Sequence, residues 1–242
     1  NLGILYDQGR GVKQDLSEAV QWYRKAAEQG QGNAQYNLGS MFANGQGVQQ
    51  DDAEAVRWYC KAAEQGDAAA QTVLGNCYYH GQGVQQNYAE AVRWFRKAAE
   101  QGDAKAQHNL GIMYANGQGV QQDDAEAARW YRKAAEQGAA DAQYNLGIMY
   151  LKGHGVQQNY AEAVWWFRKA AELGQANAQF TLGGLFANGE RVKQNDAEAL
   201  RWFRKAAAQG TAEAKHSIKM FEDRRRASTA ANPATSSAAA AS

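Results

Sequence analysis

Few side chains in this sequence stand where chemistry would need them. Four histidines, His80, His108, His154 and His216, could hold a metal or move protons, but no two are spaced i, i+4, and the two cysteines, Cys60 and Cys77, complete no zinc-finger spacing with them. Ser17, Ser40, Ser217 and Ser228 lack the lysine three residues on that would set a base one helical turn from a serine nucleophile. Gly45-Gln46-Gly47 begins like a phosphate-cradling loop, yet Gln50 stands where the third glycine belongs and no strand precedes it. These positions predict no catalytic residue, no metal ligand and no cofactor.

The elements that carry these residues recur. Trp22, Trp58, Trp94, Trp130, Trp166 and Trp202 are each 36 residues apart, and Gly3, Gly39, Gly75, Gly111, Gly147 and Gly183 keep the same phase, as do Val12, Val48, Val84, Val120, Val156 and Val192. A fixed period of this length marks a repeat architecture. The units are expected at 1–36, 37–72, 73–108, 109–144, 145–180 and 181–216, the first lacking its opening turn. Because Asn1 is not an initiator methionine, segments upstream are expected to be missing.

Within a unit, Asn33 to Asn44 places Ala34, Leu38 and Met41 at i, i+4, i+7 and predicts a first helix, A. The stretch Gly45 to Gln50 breaks it. Asp51-x-x-Glu54, recurring as Asp15/Glu18, Asn87/Glu90, Asp123/Glu126, Asn159/Glu162 and Asn195/Glu198, predicts a capping box at the start of a second helix, B. Ala55, Trp58, Tyr59 and Ala62 form its apolar stripe, and Gly66 is expected at its C-terminal cap. The mid-helix glycine of A costs roughly 1 kcal/mol against alanine; its strict phasing predicts close approach of a Trp or Tyr ring from a helix B. One A/B pair cannot bury such an aromatic face alone, so neighbours must stack.

The run Asn-Leu-Gly-Ile-Met-Tyr, then Gly-x-Gly-Val, then Ala-Glu-Ala-x-x-Trp-Tyr-x-Lys-Ala-Ala-Glu-Gln-Gly in residues 109 to 138 resembles the Sel-1-like repeat family, a relative of tetratricopeptide repeats. The resemblance covers residues 1 to 216. It implies an all-α fold, a right-handed α/α superhelical solenoid of six helix-turn-helix repeats whose A helices line a concave side where related proteins hold peptides or partner segments. It also implies a bacterial protein acting in envelope assembly, signalling or host interaction. Some cysteine-rich members carry beta-lactamase or penicillin-binding labels, and some join the helices of one repeat by a disulfide. Here Cys60 and Cys77 fall in different units, so both are expected as free thiols.

Variation among the units points to a partner surface. Core phases hold constant, while those of Tyr36, Ser40, Ala43 and Asn44 drift, which predicts a face free of packing. Across the units that face carries Tyr36, Tyr79, His80, His108, Ile112, Tyr144, Ile148, Leu151, Lys152 and Phe180, the expected strip for a protein or peptide partner. Trp165 replaces the outward arginine of helix B and is a candidate second contact. Twenty-six basic against 25 acidic residues give a net charge of +1, no footprint for nucleic acid, and no apolar run is long enough to span a bilayer. Thr211 onward reads as a capping helix over 211–226, with Arg224 to Arg226 favouring its C-terminus through the dipole, and 227–242 as a disordered Ala/Ser tail. The expected function is a non-catalytic adaptor. A cell-wall-directed or beta-lactamase-like hydrolase and a structural spacer are the alternatives. Few cysteines fit cytosol or periplasm, with periplasmic or secreted placement slightly preferred.

Overall fold

The computed structural model describes residues 2–189 and 192–231, with side chains through Asp223. All its regular elements are helices: α1 (Leu2–Gln8), α2 (Leu16–Glu28), α3 (Gly32–Asn44), α4 (Asp52–Glu64), α5 (Ala68–His80), α6 (Tyr88–Glu100), α7 (Ala104–Asn116), α8 (Asp124–Glu136), α9 (Ala140–Lys152), α10 (Tyr160–Glu172), α11 (Ala176–Asn188), α12 (Asp196–Ala208) and α13 (Ala212–Ala231). Odd-numbered helices are A helices and even-numbered ones are B helices; from α1 to α8, and again from α9 to α13, each packs on the next. The architecture is an all-α solenoid of helical hairpins. It divides into two compact units, Asn1–Gln137 with α1 to α8 and Gly138–Ser242 with α9 to α13.

Each B helix starts where the D/N-x-x-E motif places it. The side chain of Asp15, Asp51, Asn87, Asp123, Asn159 or Asn195 accepts from the backbone N–H three residues on, at 2.9–3.1 Å. The other half of the expected capping box does not form. The cap residue's own N–H already donates to a carbonyl of the preceding A helix, as Asp51 does to Phe42 at 3.0 Å and Asn87 to Tyr78 at 2.9 Å. The freed glutamate takes another donor: Glu54 accepts from Trp58 Nε1 at 3.0 Å and Glu198 from Trp202 Nε1 at 2.9 Å. The same bond that satisfies the cap N–H ties helix B to helix A across the turn.

The break after helix A is also as read: Gly45 caps α3 with φ 65°, a left-handed conformation that costs a side-chain-bearing residue free energy. Helix B ends one residue earlier than expected, with Gln65 as the cap and Gly66 beyond it. Asp67 N–H then reaches Ala62 O and Gly66 N–H reaches Ala63 O, the paired bonds of a Schellman ending.

The stripe residues Ala55, Trp58, Tyr59 and Ala62 are all buried. Each phased glycine of helix A, from Gly3 to Gly183, faces the Tyr or Phe of its own repeat's helix B rather than the tryptophan. An added Cβ at Gly39 would lie 2.8 Å from Tyr59, at Gly75 2.6 Å from Phe95 and at Gly111 2.6 Å from Tyr131. The tryptophans instead fill the stacking layer: Trp58 clusters with Ala19, Tyr23 and Ala27 of the preceding helix B, Trp94 with Val56, Ala62 and Ala63, and Trp202 with Ala163 and Phe167.

A buried glutamine in helix A, unremarked in the apolar pattern, links neighbouring hairpins. Gln35, Gln71, Gln107 and Gln179 are 3–4% exposed. Each donates Nε2 to a carbonyl near the end of the preceding helix B (Ala27, Ala63, Ala99, Ala171) at 3.0–3.1 Å. Each Oε1 accepts from the glutamine capping its own repeat's helix B, Gln65, Gln101, Gln137 and Gln209, at 2.7–2.8 Å. Three successive helices are joined at every such step. In the fifth repeat Leu173 replaces the capping glutamine, and that amide link cannot form.

The last helix runs to Ala231, past Arg224 to Arg226, whose side chains lie outside the described ones. The alanines that follow are strong helix formers and carry the helix through 227–231; the rest of the expected tail, 232–242, lies outside the described residues.

Candidate functional site

The drifting A-helix phases are not free of packing. Tyr36, His108, Tyr144 and Phe180 are half-buried, and each ring tilts against an aromatic ring of its own repeat's helix B: Tyr59, Tyr131, Phe167 and Phe203, at centroid distances of 5.6–5.7 Å. Thr72, at the same phase, is buried and donates its hydroxyl to Asp103 at 3.1 Å. The residue at this phase therefore covers the ring that takes the place of a Cβ at the glycine, a packing role that periodicity alone does not reveal.

On the first unit, the structure brings Tyr79, His80 and Ile112 around one cleft of about 200 Å3, completed by Asn76, Phe95, Asn109 and Met113. The Tyr79 ring lies edge-on to His80 at 4.8 Å and tilts against Tyr88 at 5.4 Å. Tyr36 and His108 do not line this cleft. Sequence reasoning missed Asn76 and Asn109; for Asn76 the signal was there in the Ser40 phase, where only α5 carries an amide. On the second unit, Tyr144, Ile148 and Leu151 pack partly buried against the core of Phe167, Leu182 and Trp202. Lys152, in the last turn of α9, is exposed.

Trp165 is 47% exposed. Its ring stands edge-on to Trp166 at 4.4 Å, and Lys169 Nζ sits 4.1 Å from its centroid. It packs against Trp166 and the Lys169 ammonium, a role compatible with its exposure.

The candidate chemical groups are engaged structurally. Ser40 Oγ donates to Tyr36 O and accepts from Tyr59 OH, and Ser217 Oγ donates to Glu213 O. Among the described residues no cluster of His, Cys, Asp and Glu could hold a metal ion, and none of the described helices is long and apolar enough to cross a membrane. Both cysteines are free thiols. Burial, with a smaller push from Asp52, raises the Cys77 thiol to about 11, and burial raises the hydroxyls of Tyr131 and Tyr59 above the ordinary phenol value of 10.0. Raised values mean that the fold favours the protonated forms, so their stabilisation is complete below the unfolded-state values and drains away as pH climbs past them. Stability should hold up to about pH 9, then fall by about 1.4 kcal/mol per pH unit as Cys77 titrates, and more steeply above about pH 10 where the tyrosines join, with the melting temperature following. Tyr131→Phe, which copies the residue at that phase in α6, should flatten the alkaline limb in thermal scans from pH 8 to 11; an unchanged slope would discount Tyr131.

Hairpins stacked in register, with a variable face on their A helices, define a repeat-built interaction module. The chain belongs to the Sel1 repeat family: six successive segments, 1–31, 32–67, 68–103, 104–138, 140–175 and 176–211, match the Sel1 repeat, a protein-interaction repeat fold. No curated protein matches the sequence. Among solved structures, it is similar to a protective antigen present in uropathogenic Escherichia coli strains, displaying an SLR fold. The two share 42% identity at TM-score 0.87, over 92% of this chain and 48% of that one. The chain thus spans about half the length of that antigen. A Sel1 repeat protein from Oxalobacter formigenes is 39% identical at TM-score 0.76, covering 85% of this chain and 82% of its own. One from Klebsiella pneumoniae is 27% identical at TM-score 0.51, covering 84% and 99%.

Proposed function

We propose that this protein is a non-catalytic adaptor that holds a protein or peptide partner on the face shared by its A helices. One observation carries the reading: units that are nearly identical in their core phases differ on this face, and there they place half-buried aromatic and branched side chains around a preformed cleft. Preformed apolar surface with a few polar groups binds at low ordering cost. On the first unit the face comprises Tyr36, Tyr79, His80, His108 and Ile112, and on the second Tyr144, Ile148, Leu151, Lys152 and Phe180. The similarity to a protective antigen present in uropathogenic Escherichia coli strains is compatible with a bacterial envelope or host-interaction setting.

The test is selection from a displayed library of ~12-residue peptides, sized to lie along a helical face. Tyr144→Ala combined with Ile148→Ala should abolish capture of peptides selected on the second unit. Because both side chains touch its core, the double variant should also melt lower, so a matched control is needed: Leu200→Ala, buried on helix B, should cost about 2–5 kcal/mol and keep capture. Equal capture by the double variant, or equal loss in the control, would remove that surface from consideration.

A further inference from the structure

We propose that the cleft between α5 and α7 is an anchor pocket for one side chain, taking an aliphatic or aromatic residue of a partner peptide while Asn76 and Asn109 hold the adjoining backbone amide. This deepens the adaptor reading and rests on it.

The pocket exists because α5 departs from its sister helices. Where α7 reads Asn109-Leu-Gly-Ile-Met-Tyr-Ala-Asn116, α5 reads Val73-Leu-Gly-Asn-Cys-Tyr-Tyr-His80. Three of those departures, Asn76, Tyr79 and His80, line the cleft. Volume decides the class of occupant. A cavity of ~150 Å3 holds a benzene ring and drug-sized ligands fill ~300–1,000 Å3, so about 200 Å3 suits a single leucine-, methionine- or phenylalanine-sized side chain. The lining has the matching chemistry: Phe95 and Met113, each 1% exposed, belong to the core beneath, with Ile112 and Tyr79 beside them. Tyr79 is held from outside the cleft, its ring against Tyr88 and its hydroxyl 3.4 Å from Gln118 Oε1.

The polar groups select a neutral partner. Asn109 Nδ2 donates to Asn76 Oδ1 at 3.1 Å. That bond orients both amides and leaves the Asn76 amino group as a donor and the Asn109 carbonyl as an acceptor, the complement of a peptide C=O and N–H. Among the described residues no lysine, arginine or carboxylate lines the cleft, so a charged group entering it would lose hydration without a carboxylate, lysine or arginine to pair with.

Blocked single residues probe the pocket directly: N-acetyl-leucinamide and N-acetyl-phenylalaninamide, with N-acetyl-glycinamide and toluene as comparators, titrated into the 15N-labelled full chain and followed by NMR. The leucine and phenylalanine probes should give saturable shifts at the Asn76 and Asn109 side-chain amides and at Ile112, with Kd on the order of 1 mM. The glycine probe, which lacks an anchor, and toluene, which lacks the amide, should bind at least ~10-fold more weakly. Asn76→Ser and Tyr79→Ala, which copy Ser40 and Ala43 of α3 and so keep the fold, should weaken the leucine probe by ~10-fold each. Absence of saturable shifts, equal binding of glycine or toluene probes, or indifference to both variants overturns the pocket. The two proposals fail separately: a library-selected peptide that binds the A-helix face without shifting Asn76, Tyr79 or Ile112 overturns the pocket alone. Seating of the blocked amides with no peptide ever selected supports the pocket and overturns the adaptor.

Discussion

Gly111→Ala will melt below the wild type although alanine is the better helix former. A methyl at Gly111 would lie 2.6 Å from Tyr131 Cδ1 and 2.7 Å from Cε1, well inside van der Waals contact. The ring is 5% exposed and hemmed in, with His108 tilted against it at 5.7 Å. Overpacking costs about 1–3 kcal/mol; with the methyl this close the cost falls in the upper part of that range, leaving a net loss of about 1–2 kcal/mol after the roughly 1 kcal/mol of helix propensity gained, and at about 2–4 °C per kcal/mol the melting temperature should drop by several degrees. The sign has an internal control. Gly184, next to the phased Gly183 in α11, would place its Cβ in open space, with nothing within 4 Å. Gly184→Ala should therefore gain up to ~1 kcal/mol and melt higher. If both variants shift the same way in thermal scans, the close-approach explanation of the glycine phase is wrong.

The second large effect is expected at the glutamine that joins hairpins. Gln107→Leu keeps most of the volume and removes two hydrogen bonds at once, Nε2 to Ala99 O at 3.1 Å and the acceptance from Gln137 Nε2 at 2.8 Å. Ala99 O retains Gly102 N–H and Gln137 retains Gly102 O at 2.9 Å, so neither is wholly stranded, and the loss should be about 2 kcal/mol within the 1–3 typical of a disrupted buried polar group. Gln137→Ala, on the exposed side of the same link, should cost less, roughly 0.5–1.5 kcal/mol. Urea titrations compare them: a Gln107 variant as stable as wild type would mean that apolar stacking alone sets the register between hairpins.

How much of this was legible beforehand varies with the range of the interaction. The 36-residue period located every helix pair, the D/N-x-x-E motif placed the helix B starts at the right residue, and the i, i+3, i+4, i+7 stripe of Ala55, Trp58, Tyr59 and Ala62 named core residues correctly. The glycine phase announced a close ring without saying which one. Tyr59 and Trp58 are adjacent on the helix, and choosing between them requires the packing angle of helices A and B.

The sequence by itself determined the repeat, the helix ends and the buried stripe, because those depend on groups within a turn or two of one another and on a side chain's direction about its own helix axis. Tertiary structure decided the rest: Gln65 reaching Gln35, the Asp51 N–H meeting Phe42 O instead of Glu54, Tyr36 resting on Tyr59, and Asn109 meeting Asn76 beside a cleft. Each of these joins groups on different helices, or across the turn between two, and such meetings are set by how the helices are turned and spaced against one another.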